Sequence, residues 1–186
     1  ADASNPAFLF TYVDDILIIA PNTNTLAPIK SKLMAAFDAR DLGPATFFLG
    51  MDITRDHAAN TLKLSQARFT ADLLSKFNMQ DAKTVSTPSS AAIKLTKDGE
   101  PLDTKTFPYS TLVGSLMYLS VCTRPDIAQA VGALARYMAT PTAAHWTAAK
   151  SVLRYLAGTT DYGITFGTGP PGRDVYCDAD YAGDVD

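Results

Sequence analysis

The tightest constraint on this chain lies near its start, in Phe8-Leu9-Phe10-Thr11-Tyr12-Val13-Asp14-Asp15-Ile16-Leu17-Ile18-Ile19. Two short apolar runs there flank a pair of adjacent carboxylates. Runs rich in Phe, Val, Ile and Tyr predict an antiparallel hairpin, with its turn at Asp14-Asp15. Asp suits a turn because its short side chain bonds nearby backbone groups. Two in succession are costly, since like charges about 4 Å apart repel by roughly 4 kcal/mol at an effective dielectric near 20. Asn-Gly or Asp-Gly would close a two-residue hairpin without that repulsion. The pair is therefore either a solvated acidic turn, the commoner meaning of Asp-Asp between strands, or a cation site. Mg²⁺ would suit the second, because it takes one or two carboxylates and fills its octahedron with phosphate oxygens and water.

With 186 residues, 47% of them hydrophobic, the chain can bury a core as one domain or two small ones. Its net charge of −3 lacks the basic excess of an autonomous nucleic-acid binder, although a local basic groove can coexist with it. The two cysteines, Cys122 and Cys177, form no Cys-x-x-Cys pair and fit buried thiols in a reducing compartment. No apolar run approaches the roughly 18 residues of a membrane span. No basic residue precedes the first apolar run, so no signal peptide is expected. A start almost inside a strand and a stop at Asp184-Val185-Asp186 are expected of a piece of a larger polypeptide.

Beyond the hairpin, Leu26, Ile29, Leu33, Ala36 and Phe37 recur at helical spacing, with Lys30 and Lys32 on another face. This predicts an amphipathic helix against the hairpin's sheet, ended by Asp41-Leu42-Gly43-Pro44. Residues 46–53 and 61–64 read as a second antiparallel pair joined across a turn containing Asn60. Ser65 is the expected cap of a helix burying Phe69, Leu73, Leu74 and Phe77. Residues 81–107, with Pro88, Gly99 and Pro101, read as a long connecting loop. Three helices are expected next. The first carries Leu112, Val113, Leu116, Met117 and Leu119. The second starts near Pro125 and buries Ile127, Val131, Leu134 and Met138. The third has Thr140 as cap, Pro141 at its first position, Trp146, Ala149, Val152, Leu153 and Leu156 inward and Gly158 as its stop. Residues 162–166 and 174–178 read as strands flanking a Gly/Pro turn.

Tyr12-Val13-Asp14-Asp15 followed by Ile-Leu-Ile-Ile resembles the catalytic hairpin of reverse transcriptases. Later phrases narrow the resemblance to the copia-type (pseudoviral) LTR retrotransposons: Asp41-Leu42-Gly43, Phe48-Leu49-Gly50-Met51, Leu64-Ser65-Gln66, Thr123-Arg124-Pro125-Asp126-Ile127, Arg154 through Thr159, and Tyr176-Cys177-Asp178. The resemblance implies an RNA-directed DNA polymerase fragment of α+β class. Residues 1–60 would be the second half of the palm, 61–165 a mainly helical thumb and connection, and 174–186 the first strand of a truncated ribonuclease H domain. Asp14 and Asp15 would hold Mg²⁺ in a two-metal site, Asp14 as direct ligand and Asp15 more as support. Tyr12, Val13, Phe48, Leu49, Gly50 and Met51 would contact the primer, with Gly50 allowing close approach inside a strand; the plainer alternative is a core strand with a bulge. Asp178 would be the first catalytic carboxylate of ribonuclease H.

The same resemblance implies an RNA template, a DNA primer, deoxynucleoside triphosphates and the upstream half of the polymerase as partners. It places the protein in cytoplasmic virus-like particles, with the nucleus as the alternative. A non-catalytic remnant, decayed or kept for structure or nucleic-acid binding, is the competing reading. Arg40 departs from the Lys that relatives often carry before Asp41; it is read as a solvated residue at a helix end. Trp146 and Phe77 read as core, and His57 and His145 show no metal-binding companion. Arg124, Arg136, Lys150 and Arg154 either line a phosphate-tracking groove or sit on solvated helix faces.

Overall fold

The computed structural model describes residues 6–89, 95–167 and 169. It is mixed α+β, with small antiparallel sheets and five α-helices, divided into two compact units, Ala1–Leu49 and Gly50–Asp186.

In the first unit the apolar runs form β1 (Phe8–Tyr12) and β2 (Asp15–Ile19), paired antiparallel from Phe8↔Ile19 to Tyr12↔Asp15. The hairpin is as expected, but its loop is Val13-Asp14 and Asp15 already belongs to the second strand. Helix α1 (Thr23–Ala36) starts at Asn22, whose Oδ1 accepts the Thr25 N–H at 2.9 Å, satisfying one of the unpaired donors of a first turn. It stops at Ala36, before Asp41-Leu42-Gly43-Pro44, because Phe37 turns extended at φ −132°. Leu26, Ile29 and Leu33 are half-buried, whereas Phe37 is 64% exposed. No residue of β1, β2 or α1 is fully buried. The unit ends in β3 (Phe47–Phe48).

The second unit carries the core. Strand β4 (Met51–Asp56) pairs with β5 (Thr61–Ser65) from Asp52↔Ser65 to Asp56↔Thr61. Their turn is held by Asp56 Oδ1, which accepts the N–H groups of Ala58 and Ala59, and Asn60 supplies a left-handed φ of 52°. Helix α2 (Ala67–Lys76) begins after Gln66, not at Ser65, since the β5 ladder still holds Ser65 opposite Asp52. A long connection leads to α3 (Tyr109–Cys122), a 3₁₀ turn (Pro125–Ile127), α4 (Ala128–Ala135) and α5 (Ala143–Ala157).

Leu73, Leu74, Leu112, Val113, Leu116, Leu119, Ile127, Val131, Leu134, Ala149, Val152, Leu153 and Leu156 form one buried cluster. Full burial of each large aliphatic chain contributes about 1.5–3 kcal/mol. Some expected core residues differ: Met117 is 42% exposed, and Phe69, Phe77, Met138 and Trp146 are only partly buried at the cluster's edge.

The α5 cap is Thr142, not Thr140. The Thr142 N–H donates to His145 Nδ1 at 2.8 Å, and the His145 ring stacks on Tyr137 at 4.0 Å. Chain end and chain middle meet where β6 (Gly163–Phe166) adds to the free edge of β5, from Leu62↔Phe166 to Ser65↔Gly163. A Cβ on Gly163 would collide with the Leu64 carbonyl oxygen, so only glycine fits there. The expected strand at 174–178 lies outside the described residues. Among the described residues, no helix is long and apolar enough to cross a membrane.

Candidate active site

The β1–β2 register leaves a loop of two residues, and its first, Val13, has φ 50°. A left-handed conformation costs a non-glycine residue about 1–2 kcal/mol, and a β-branched one is rarely found there. Val13 is 87% exposed, so no buried contact offsets the strain. Asp14 follows in the loop and Asp15 opens β2 opposite Tyr12, both exposed. Strain and like charge thus fall together at a solvent-facing tip, an arrangement typical of functional sites.

Among the described residues, no group of three or more His, Cys, Asp or Glu side chains could hold a metal ion. Two adjacent carboxylates nonetheless match what Mg²⁺ takes from protein when phosphates and water complete its shell. The pair fits the ion as part of a site.

Phe48-Leu49-Gly50-Met51 differs from its expected form. The apolar run predicts a continuous strand over 46–53; the backbone instead reverses at Leu49 (φ 49°) and Gly50 (φ 78°), between β3 and β4. Two successive left-handed residues are the geometry of a tight hairpin turn. Gly50 is therefore a turn glycine, and neither a strand interior nor a bulge.

Arg124 corrects the expectation of a phosphate-tracking or solvated cation. It is 1% exposed. Its Nη2 lies 2.8 Å from Asp126 Oδ2, Nη1 donates to the Thr159 carbonyl at 2.9 Å, and Nη2 also reaches Thr159 Oγ1 at 2.6 Å. The Tyr155 and Tyr162 rings lie 5.6 and 5.5 Å from the guanidinium carbon, within cation–π range. Tyr155 also donates to Asp126 Oδ2 at 2.9 Å. Burial pushes the Asp126 carboxyl up, but the hydrogen bonds from Arg124 and Tyr155 outweigh it and hold the carboxyl below its ordinary value.

Next to Arg124, Thr123 Oγ1 donates to the buried Gln66 Oε1 at 2.8 Å. Three of the phrases that carried the resemblance, at 64–66, 123–127 and 154–159, thus meet in one packed polar cluster. No sequence signal showed this, because the contacts span up to 57 residues.

Other cations and polar residues also resolve. Arg154 donates to the Lys83 carbonyl, Arg136 lies over the Tyr137 ring, and Lys150 is partly exposed. Arg68 pairs with Asp52 at 2.9 Å. Asp41 is held below its ordinary value by the Lys30 ammonium, 2.9 Å away, and by the Gly43 N–H, so Asp41-Leu42-Gly43 is a pinned turn. Arg40 is exposed, four residues past the end of α1. Trp146 packs against Phe77 and Phe107 at the edge of the core, as read from sequence. His145 is a cap acceptor and His57 is exposed. Asp178 lies outside the described residues.

A family model described as reverse transcriptase (RNA-dependent DNA polymerase) matches residues 1–91. The chain is 45% identical to the retrovirus-related Pol polyprotein from transposon TNT 1-94 of Nicotiana tabacum, over 98% of this chain and 14% of that protein. It is 44% identical to the Pol polyprotein from transposon RE2 of Arabidopsis thaliana, over 96% of this chain and 12% of that one. An uncharacterised mitochondrial protein of Arabidopsis thaliana is 34% identical, over 95% of this chain and 72% of its own length. The chain thus spans only 14% and 12% of the two polyproteins. No solved structure matches it.

Proposed function

The chain belongs to the reverse transcriptase family of copia-type retrotransposon Pol polyproteins, and from that premise we propose that it forms the metal-binding and primer-holding part of an RNA-directed DNA polymerase. The observation that carries the reading is the exposed, strained tip at Val13-Asp14-Asp15. Asp14, in the loop, is the direct ligand of Mg²⁺, and Asp15, held in the ladder opposite Tyr12, supports it. When bound, Mg²⁺ stabilises charge on the attacking and leaving oxygens of nucleotidyl transfer. The chain's own share is positional. Tyr12 and Val13 flank the primer end, and Phe48 to Met51 hold it through a turn whose shape its left-handed residues set.

In this reading residues 1–60 belong to the palm, 61–165 to thumb and connection, and 174–186 to the start of ribonuclease H. RNA template, DNA primer and deoxynucleoside triphosphates are the substrates. The upstream half of the polymerase is the partner of the first unit. Support for that partner comes from Phe8, Phe10 and Tyr12, each at least half exposed in a unit whose two paired strands and helix bury no residue.

Primer extension tests the proposal. The purified 186-residue chain is expected to incorporate no nucleotide, and to do so once combined with the upstream half, because two carboxylates cannot hold two reluctantly dehydrating cations. Incorporation by the isolated chain, abolished by Asp14→Asn, would overturn the claim that the upstream half is essential. For Asp178 the expectation is separate: Asp178→Asn in the full polyprotein stops RNA strand degradation and spares DNA synthesis, and joint loss of both would refute that role.

The second reading is a non-catalytic remnant, decayed or kept for structure or nucleic-acid binding. A full-length parent chain that binds primer–template but extends nothing would decide for it.

A further inference from the structure

Gly50 faces more than a conformational demand. A Cβ built on it would lie 2.5 Å from the Tyr118 hydroxyl oxygen and 3.5 Å from the ring carbon that bears it. The hydroxyl therefore occupies the space a side chain at 50 would fill. Tyr118 stands on α3, and Phe69 of α2 meets its ring edge-on, with centroids 5.1 Å apart and planes at 83°. Such an aromatic pair restricts where the hydroxyl can point. Two helices thus aim one polar atom at one backbone position, the second residue of the turn leading into β4.

We propose that Tyr118 is a positioning residue: its hydroxyl, seated against Gly50, sets the distance between α3 and the turn that holds the primer end. The inference rests on the primer-holding reading of Phe48 to Met51. Gly50 is thereby required twice, for its left-handed φ of 78° and for the room its missing side chain leaves to Tyr118. Nucleic acid reaching the turn meets a backbone already fixed from behind by α3. Elongation needs the primer terminus held within a fraction of an ångström, and a shift of about 1 Å can cost about a hundredfold in rate.

The two requirements are separable by substitution. Gly50→Ala introduces both strain and the collision. Tyr118→Phe removes only the oxygen, after which the next nearest atom stands at 3.5 Å, ordinary contact distance. In the full polymerase chain, Gly50→Ala is expected to lower kcat/KM for primer–template about tenfold, and Tyr118→Phe alone about twofold. The double variant should recover to within about threefold of the parent, the residue being backbone strain. The nucleotide KM should stay unchanged throughout while the primer–template KM rises in Gly50→Ala, a change that a smaller folded fraction would not produce, because it lowers kcat alone. If Gly50→Ala alone gives no folded protein, recovery of folded, active protein in the double variant is the same result in stronger form.

A double variant as impaired as Gly50→Ala, in both kinetics and melting temperature, would overturn the role of Tyr118. Rescue of the melting temperature with primer–template KM equal in all four proteins would instead overturn the primer-holding reading and leave the Gly50–Tyr118 packing standing.

Discussion

Asp14→Asn in the full polymerase is expected to cut primer extension by about a hundredfold or more while leaving the fold intact, since on the proposed function a Mg²⁺ ligand would be lost. Asp14 is exposed in a two-residue loop, so its carboxylate supports no buried contact. Removing one of two adjacent negative charges also relieves repulsion of roughly 4 kcal/mol at an effective dielectric near 20, less at a solvated tip. Melting temperature should therefore hold or rise as activity falls. That opposition separates a ligand from a structural residue, whose loss lowers both. Asp15→Asn should do less harm, because Asp15 is the first residue of β2 and its backbone pairing with Tyr12 survives the change. Extension by Asp14→Asn at a tenth or more of the parent rate would sink the metal assignment.

The largest expected effect on stability lies elsewhere, at Arg124→Ala. The guanidinium is buried, charge-paired and flanked by two aromatic rings. Removing one member of a buried ion pair costs about 3–5 kcal/mol. The Asp126 side chain keeps 32% exposure and can recover some hydration, so about 3 kcal/mol is the reasonable expectation. Truncation also leaves the Thr159 carbonyl without the Arg124 hydrogen bond it now accepts. Arg124→Lys should recover little of the loss, because an ammonium cannot make the fork that reaches Asp126 and Thr159 together.

Acid supplies an independent check on the same cluster. Asp126 titrates below its ordinary 3.8 in the folded chain, so its contribution is complete above that value and disappears as pH falls through the depressed folded value. In Arg124→Ala this acid limb should flatten. Urea unfolding at pH 7 and pH 3 measures both effects, and a loss under about 1 kcal/mol at pH 7 would refute the structural role.

Much of the local architecture was legible in the residues. Continuous β-prone apolar runs at 8–12 and 15–19 identify the hairpin, and the stripes through 112–119, 127–134 and 149–156 identify core helices, because β-propensity and a period of 3.6 are properties of neighbouring residues alone. The acidic tip was equally legible, since its like-charge cost is written in adjacent positions. Errors gathered at boundaries. Thr140-Pro141-Thr142 offers two caps of similar quality, and the choice of Thr142 depends on where the His145 ring lies. The turn at Leu49-Gly50 was hidden because Phe47-Phe48-Leu49 has the composition of a strand, and only a glycine marks the reversal.

Sequence by itself thus determined the family, the hairpin with its paired carboxylates, and the helical character of the second half. Tertiary structure alone decided that β6 closes on β5 across about a hundred residues, a pairing with no local signature because it depends on loop closure and a shared apolar face. It also decided what the charged residues mean. Arg124 and Arg154 are the same residue type on similar backgrounds. One is sealed between Asp126, Thr159 and two tyrosines, and the other bonds a loop carbonyl near solvent. A guanidinium's role follows from the dielectric and the partners around it, and those are assembled only when distant segments pack.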